Sequence, residues 1–586
     1  MNGRRLLWLA SSAVGFAAAD TYVVVVALPD MMTGVGLAVD ELQRAAPIVS
    51  GFLLGYVAVL PLIGRIADLR GRVPVLVAAL VVFALGSLVT AAAYDLPSMV
   101  TGRFLQGLGA GGLVPATLAL VADRYPPGRR GVPLGIVGAV QEIGSVLGPL
   151  YGAVVLAVSA WQAIFAVNRV VGLVLAAALH SSGARAATEA DARGRTGAGA
   201  RGRTDVPGAA CLAGAVVGLV LIMVQPARLT TDVTLGLAFV PVAGQSRWWA
   251  PVGLAAIAFF LAFVVRCLRA ARPVVDLRGW SSAVGHADLR GATLLALALA
   301  GVVLAFAGAD PEVAVLPPAG PWLLLASAGC LVLLLRHLRR ATEPLVPRGA
   351  LAARSAWGAL AVSFFVGAAL VAALVDIPIF ARVTVDAASQ LDAALVLVRF
   401  LVAVPLGALA GGYLTGRAPA GAVAAGGMLL AFVGFVAMSH WGLTSLEHPL
   451  ATVPLVVGGL GFGVALTPVN AALLAATRSD VHGVASALLV VARMVGMLVG
   501  ISALTTIGLR RYYAVQAELP LPGDVCSSGT QCAAYTRLLK EAGLAQLHTV
   551  FVGAAGCALV AAVLSVLLLR AGTVTATSHR SGTLRQ

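Results

Sequence analysis

The sequence predicts an all-α membrane protein with about sixteen transmembrane helices. Three observations carry this. Hydrophobic residues make up 60% of the 586 positions and charged residues only 11%, against about a quarter charged in an ordinary soluble domain. The apolar residues come in long unbroken blocks of about twenty, the length that crosses a hydrocarbon core. The arginines fall between those blocks, as the positive-inside rule requires.

Six blocks fill the N-terminal part, at about 6–28, 47–66, 73–93, 97–122, 132–158 and 161–180. Arg4 and Arg5 precede a first block too long for a signal peptide, so it is expected to stay in the chain. The connections holding Arg65, Arg70 and Arg72, and Arg124, Arg129 and Arg130, are basic. Those at 30–44 and at Asp95 are acidic or mixed. Basic loops stay inside, so both termini are expected to be cytoplasmic. Residues 1–180 thus form a first unit. The basic, glycine-rich stretch 181–207, with Arg185, Arg193, Arg195, Arg201 and Arg203, follows as a cytoplasmic linker. A surface for anionic lipid headgroups is its alternative.

Two apolar hairpins come next within 208–350, the first at 208–225 and 249–268, the second at 291–308 and 321–338. Each ends in a similar basic phrase, Arg266-x-x-Arg269 running to Pro273 and Arg336-x-x-Arg339 running to Pro344, which marks a duplicated unit. Six further blocks, at about 357–380, 391–415, 418–440, 453–476, 484–508 and 547–569, make a second unit over 351–572, with a cytoplasmic tail at 573–586. The final pattern resumes near Ala533. A helix from there to 569 would reach ~55 Å, well past a ~30 Å core. An external extension near 510–546 is therefore expected.

The net charge of +15 does not point to nucleic acid, because the arginines lie between apolar blocks and not along one solvated face. Lys540 is the only lysine. Cys211, Cys267, Cys330 and Cys557 lie in or beside apolar blocks and serve packing. Cys526 and Cys532 share an external loop where oxidation is open to them, and the sequence leaves their pairing undecided. No metal site is expected, since no paired Cys-x-x-Cys or His-rich run is present. An enzyme is not expected either. The chain has no Gly-x-Ser-x-Gly elbow, no His-Glu-x-x-His and no phosphate loop ending in Lys-Ser/Thr. With no cofactor or nucleotide site, the energy source is expected to be an ion gradient.

Ionisable groups inside the bilayer are costly, so each needs a reason. Asp20 lies toward the outer end of the first helix and Arg103 at matching depth on the fourth, so they can pair. A fixed structural ion pair is one reading. The other is a pair broken as the protein changes shape, since a carboxylate beside a cation keeps a low pKa and one left in an apolar cavity a high one. Glu142 lies near the middle of the fifth helix and Arg493 at similar depth on the penultimate one; Glu142 is expected to be protonated for part of the cycle or paired with Arg493. Asp20, Arg103, Glu142 and Arg493 are together the expected proton-coupling residues of a cavity. Asp376 and Arg399 form a candidate rim pair on the outer side. Gly144, Gly148, Pro149 and Gly152 give the fifth helix a smooth, bendable face. Gly64, Asp68, Gly71 and Arg72 form a tight cytoplasmic loop in which Asp68 can cap a helix or hold an arginine.

Four motifs stand in order on these helices. They are Asp20-Thr21 to Pro29, Gly64 to Arg72, Arg103-Phe-Leu-Gln106-Gly107-Leu-Gly109, and Gln141-Glu142-Ile-Gly144 to Gly152. Together they resemble the major facilitator superfamily, and within it the fourteen-helix drug:proton antiporters. The Gln141–Gly152 string and the string around Arg493 look closer to the family's mycobacterial triacylglyceride exporters, which work with a lipoprotein partner. The resemblance leaves the first hairpin unaccounted for. Val25, Leu69, Ala153 and Asn168-Arg169-Val170 depart from the family's usual residues. The resemblance implies a major facilitator fold of two six-helix bundles around a central cavity with alternating access. It implies that the Gly144–Gly152 motif belongs to an antiporter, that the Asp68 loop latches the outward-open state, and that a periplasmic lipoprotein is a candidate partner. The expected function is proton-coupled export of lipids or hydrophobic drugs across the bacterial inner membrane. An uncoupled lipid facilitator, or a membrane sensor on a transporter scaffold, is the alternative.

Overall fold

The computed structural model describes residues 2–37, 42–192, 205–244, 246–271, 273–307, 319–384, 390–521, 525–526 and 532–569. Its first six long helices are α1 (Asn2–Gly34), α2 (Leu42–Arg70), α3 (Arg72–Ala91), α4 (Leu96–Arg124), α5 (Gly131–Val158) and α6 (Gln162–Ala192). The hairpin region holds α7 (Val206–Val224), the single turn α8 (Ala227–Thr230), α9 (Pro251–Arg269), α10 (Leu277–Gly285), α11 (Leu289–Ala307) and α12 (Gly320–Arg340). The last six are α13 (Arg354–Thr384), α14 (Gln390–Thr415), α15 (Ala420–Met438), α16 (Thr452–Ala476), α17 (His482–Ala517) and α18 (Ala533–Leu568). Among the described residues fifteen helices are long and apolar enough to cross a bilayer, and the bent pair Leu277–Gly285 and Leu289–Ala305, at 74°, counted as one span, makes up to sixteen. The expected all-α fold of about sixteen spans is therefore found.

Local chemistry sets the helix ends. Asp95 accepts from the Ser98 amide at 2.9 Å while the Ser98 hydroxyl sits 3.3 Å from the Asp95 amide, a reciprocal cap that starts α4. Gly71 turns the chain between α2 and α3 at φ +96°, a conformation that a side chain would strain.

The two sets of six helices repeat one packing scheme. In the first, α1 packs on α5, α2 and α3 on α4, and α3 on α6. In the second, α13 packs on α17, α14 and α15 on α16, and α15 on α18. Each has its own buried apolar core. The bundles meet along α5 with α14 and α2 with α17, which are equivalent positions in the repeat.

The hairpins are built alike. Asp205 accepts from the Gly208 amide at the start of α7 and pairs with Arg266 near the end of α9, at 3.1 Å. Asp288 accepts from the Gly291 amide at the start of α11 and lies 2.7 Å from His337 near the end of α12. The shared Asp-x-x-Gly cap with a basic partner agrees with the duplication seen in the sequence. The first hairpin leans on the end of α3, where Ile222 and Met223 meet Val89 and Ala92, and Arg247 lies 4.0 Å over the Tyr94 ring. The second packs through α11 against α2 and α17.

One boundary differs from expectation, and the expected extension is found. The sixth helix does not stop near 180 but runs to Ala192, so the linker is shorter; 193–204 lie outside the described residues, as does the tail from 570. Helices α17 and α18 have 36 residues each. At 1.5 Å per residue each reaches ~54 Å, which leaves roughly 20 Å beyond a ~30 Å core. Because α17 starts in the interbundle contacts of the basic face described below, that excess stands on the opposite face. Cys526 and Cys532 are joined there by a disulfide.

Candidate functional site

A cavity of about 340 Å³ lies between the bundles, walled by α1, α2, α4 and α5 on one side and α13 and α17 on the other. Most of the wall is apolar, including Phe52, Leu53, Leu370, Leu374, Met494 and Met497. Its polar groups are few: Thr21, Tyr22, Tyr56, Gln141, Glu142, Ser145 and Arg493. Glu142 and Arg493 also border a void of about 30 Å³ lying toward the basic loops, with Ser363 and Asn470. They therefore stand at the level where the large cavity ends.

The sequence suggested that Glu142 and Arg493 pair, and both do line this cavity. Arg493 is the charge that acts on Glu142, but the two form no ion pair within 4.0 Å. The only hydrogen bond to the Glu142 carboxylate among the described residues is a long one from Gln141, at 3.4 Å. Both charges act on the Tyr22 hydroxyl, and Arg493 acts on that of Tyr56. A carboxyl and a guanidinium that share an apolar chamber without touching are free to change partners, which a closed pair is not.

Asp20 and Arg103 pair as their matching depth suggested, at 3.0 Å, but away from the cavity, which neither lines. Both are 1% exposed in the interior of the first bundle. Asn168 on α6 donates to Asp20 Oδ1, and Gln106 Nε2 lies 3.3 Å from the same oxygen. Gln106 accepts from Arg103 and Thr90 and donates to Ser87. The guanidinium stacks 4.4 Å over Phe52, and that ring forms part of the cavity wall. One aromatic layer thus separates the pair from the chamber.

The glycines of α5 explain how α1 comes so close. A Cβ on Gly144 would overlap the Gly15 carbonyl, and one on Gly148 the Ala19 carbonyl, next to Asp20. Gly152 lies likewise against Val23. Pro149 sits inside the same helix.

The Asp68 loop joins the two bundles on the basic face. Asp68 accepts from the Gly483 amide at 2.8 Å and the Val484 amide at 3.0 Å, capping the N-terminus of α17 across the interface. Arg72 bonds Asp68, reaches Asp123 at 3.1 Å and donates to the Ser479 carbonyl at 3.2 Å. Gly64 permits this approach, since a Cβ there would overlap the Gly483 carbonyl. Arg130 adds a bond to the Leu474 carbonyl at 3.2 Å. Nearby, Arg70 pairs with Asp276, and that hydrogen bond holds the exposed Asp276 carboxyl below its ordinary range. Asp68→Asn loses the charge and one acceptor oxygen from two backbone amides. We expect it to weaken the closed basic face by about 1–2 kcal/mol, seen as faster labelling of a cysteine placed at Val137; unchanged labelling would show that the contact is dispensable.

Asp376 and Arg399 are not a pair. Arg399 donates to Thr452 at 3.2 Å, and Asp376 is buried in the second bundle. Cys211, Cys267, Cys330 and Cys557 are free. Among the described residues no group of three or more His, Cys, Asp or Glu could hold a metal ion.

Sequence reasoning missed Asn168, Ser87, Tyr22 and Tyr56 as site residues. The available signal was a polar side chain inside an apolar block, yet many such groups merely bond their own helix, as Thr21 does to the Ala17 carbonyl at 3.0 Å.

Comparison with known proteins follows from this geometry. The sequence model of one family, the Major Facilitator Superfamily, matches residues 10–335. A triacylglyceride transporter of Mycolicibacterium hassiacum is 33% identical over 576 residues, covering 95% of this chain and 90% of that one. One from Mycobacteroides abscessus is 34% identical, covering 87% of this chain and 84% of its own length. Among solved structures, a major facilitator superfamily proton:xylose symporter bound to 6-bromo-6-deoxy-D-glucose superposes with a TM-score of 0.50 at 12% identity, over 96% of this chain and 94% of that one. That likeness concerns the fold alone.

Proposed function

This chain belongs to the major facilitator superfamily, and from that premise we propose that it exports lipophilic molecules across a bacterial cell membrane by proton-coupled alternating access. The carrying observation is the central cavity, apolar over most of its wall, with Glu142 and Arg493 where it ends. The latch side is the cytoplasmic side in this reading, because it bears the arginines. The structure then corresponds to a state closed toward the cytoplasm by Asp68, Arg72 and Arg130.

An apolar chamber suits a cargo with long hydrocarbon parts and few charges. The names of the relatives support a neutral lipid such as a triacylglyceride. A hydrophobic drug would meet the same wall. Opening of the cavity to outside water hydrates Glu142 and lets it take a proton. Closure there and opening of the latch side returns the acid to Arg493, whose charge favours proton release. The Asp20–Arg103 pair, one ring behind the wall, holds α1 and α4 in register as the bundle rocks.

The extended ends of α17 and α18 stand outside in this orientation and support handing the cargo to an external acceptor, for which a periplasmic lipoprotein is the fitting partner.

Liposomes holding only this protein and a labelled triacylglyceride test the proposal. One pH unit across the membrane is worth about 1.4 kcal/mol per proton. A unit gradient, acid on the outer side of the transporter, is expected to raise lipid accumulation in an external acceptor up to about tenfold. Flux that ignores the gradient would leave an uncoupled facilitator, and no flux at all would remove transport. Deleting residues 521–541 is expected to reduce transfer to the acceptor while leaving the membrane-embedded bundles folded; full transfer would remove the hand-over role.

A further inference from the structure

The second bundle holds a carboxyl that the scheme above does not use. Asp376 lies on α13 and is 5% exposed. Its neighbours one turn away on the same face, Ala372, Ala373 and Phe380, are buried too. Leu374 and Val375, immediately before it, form part of the cavity wall, so the carboxyl sits directly behind that wall.

Asp376 has no partner among the described residues. Among the described residues no hydrogen bond or neighbouring charge acts on it. Helices α14, α16, α17 and α18 pack against α13. Helix α16 carries no ionisable side chain. On α14, Arg399 is turned to Thr452. On α17, Arg493 packs its backbone at the level of Gly367, well below, and Arg510 and Arg511 make no ion pair within 4.0 Å of Asp376. On α18, His548 bonds the Trp441 carbonyl at 2.6 Å. Asp20, by contrast, has Arg103, Gln106 and Asn168. The repeat that relates the bundles has not given the second one a matching cation.

We propose that Asp376 is a second proton-binding carboxyl of this transporter, carried by the C-terminal bundle; the inference rests on the proton-coupled reading above. An ionised carboxylate held in apolar surroundings without a partner costs several kcal/mol, and binding a proton is the available relief. Pro378 removes the helix hydrogen bond to the Leu374 carbonyl, which leaves an acceptor for water at the cavity wall beside Asp376. Asp376 lies eight residues, about 12 Å, from the outer end of α13. A proton entering from outside thus meets Asp376 before it meets Glu142. The carboxylate takes the proton from water in the open chamber and gives it back to water when the wall is hydrated again.

Infrared spectra of the full-length protein in liposomes at neutral pH test this. The wild type is expected to show the carbonyl stretch of a protonated carboxyl that Asp376→Asn lacks. Gradient-driven lipid flux is expected to fall at least about fivefold in that variant, with gradient-free lipid exchange retained. Asp376→Ser serves the same comparison if the amide variant does not fold. A spectrum unchanged in both variants overturns the proposal. So does a lost band with unaltered flux, since the acid would then only fill space. If the wild-type flux ignores the gradient, the proton-coupled reading itself fails. If Glu142→Gln loses gradient-driven flux while the Asp376 variants keep band and flux, only the second site fails.

Discussion

Asp20→Ala is expected to destabilise the folded protein by about 3–5 kcal/mol, because it leaves the Arg103 charge buried without its counter-ion. Arg103 is 1% exposed and already has one buried nitrogen, Nε, without a hydrogen-bond partner. Its remaining support would be Gln106 and the Phe52 ring, which cannot replace a carboxylate. The reverse change, Arg103→Leu, is expected to cost less. Asp20 would keep the amide donors Gln106 and Asn168, and it can also be neutralised by a proton. Combining Asp20→Ala with Arg103→Leu should recover part of the loss, since two apolar residues replace a buried pair more cheaply than one lone charge does. Thermal unfolding in detergent, followed by tryptophan fluorescence, checks all three. A double variant no more stable than Asp20→Ala would mean that the pair is not an isolated electrostatic unit.

The second large effect concerns transport and not stability. Glu142→Gln keeps the size and hydrogen-bonding capacity of the side chain but cannot carry a proton. Gradient-driven export is expected to fall roughly 10- to 100-fold, while exchange of labelled for unlabelled lipid without a gradient persists. The fold should tolerate the change well, because among the described residues Glu142 accepts only one long hydrogen bond and closes no ion pair. Arg493→Gln is expected to lose coupling as well, by removing the charge that favours proton release from Glu142. Measuring both modes of flux in the same liposomes separates coupling from cargo binding. If the Glu142 variant exports at the wild-type rate under a gradient, the proton enters elsewhere and the cavity acid is ornamental to the cycle.

The contrast between these two acids shows where the sequence stops. Asp20, Arg103, Glu142 and Arg493 were all recognisable as costly charges in apolar blocks, and each does sit in the interior. The Asp20–Arg103 pair followed from matching depth, but the surroundings of these charges were not recognisable. Asp20 and Arg103 were expected at the cavity and lie one ring behind it. Glu142 and Arg493 reach the cavity without touching. Asp376 was read as half of a rim pair, while Arg399 bonds Thr452 instead. Depth along a helix follows from counting residues, but the face that a side chain presents depends on how its helix is rotated in the bundle. In blocks that are hydrophobic all round, the sequence carries little periodic signal to fix that rotation.

By itself, the amino-acid sequence determined the membrane class, the number and order of the spans, the two hairpins and the basic face, because hydropathy, helix length and loop charge are local properties that the bilayer reads directly. The tertiary structure alone decided how closely the charges approach and which distant backbone groups they meet. Asp68 caps a helix 415 positions away at Gly483, and Glu142 shares a chamber with an arginine of the other bundle. Such meetings arise from close helix packing through glycines and from the interface of two repeats, and no local stretch of chain contains that information.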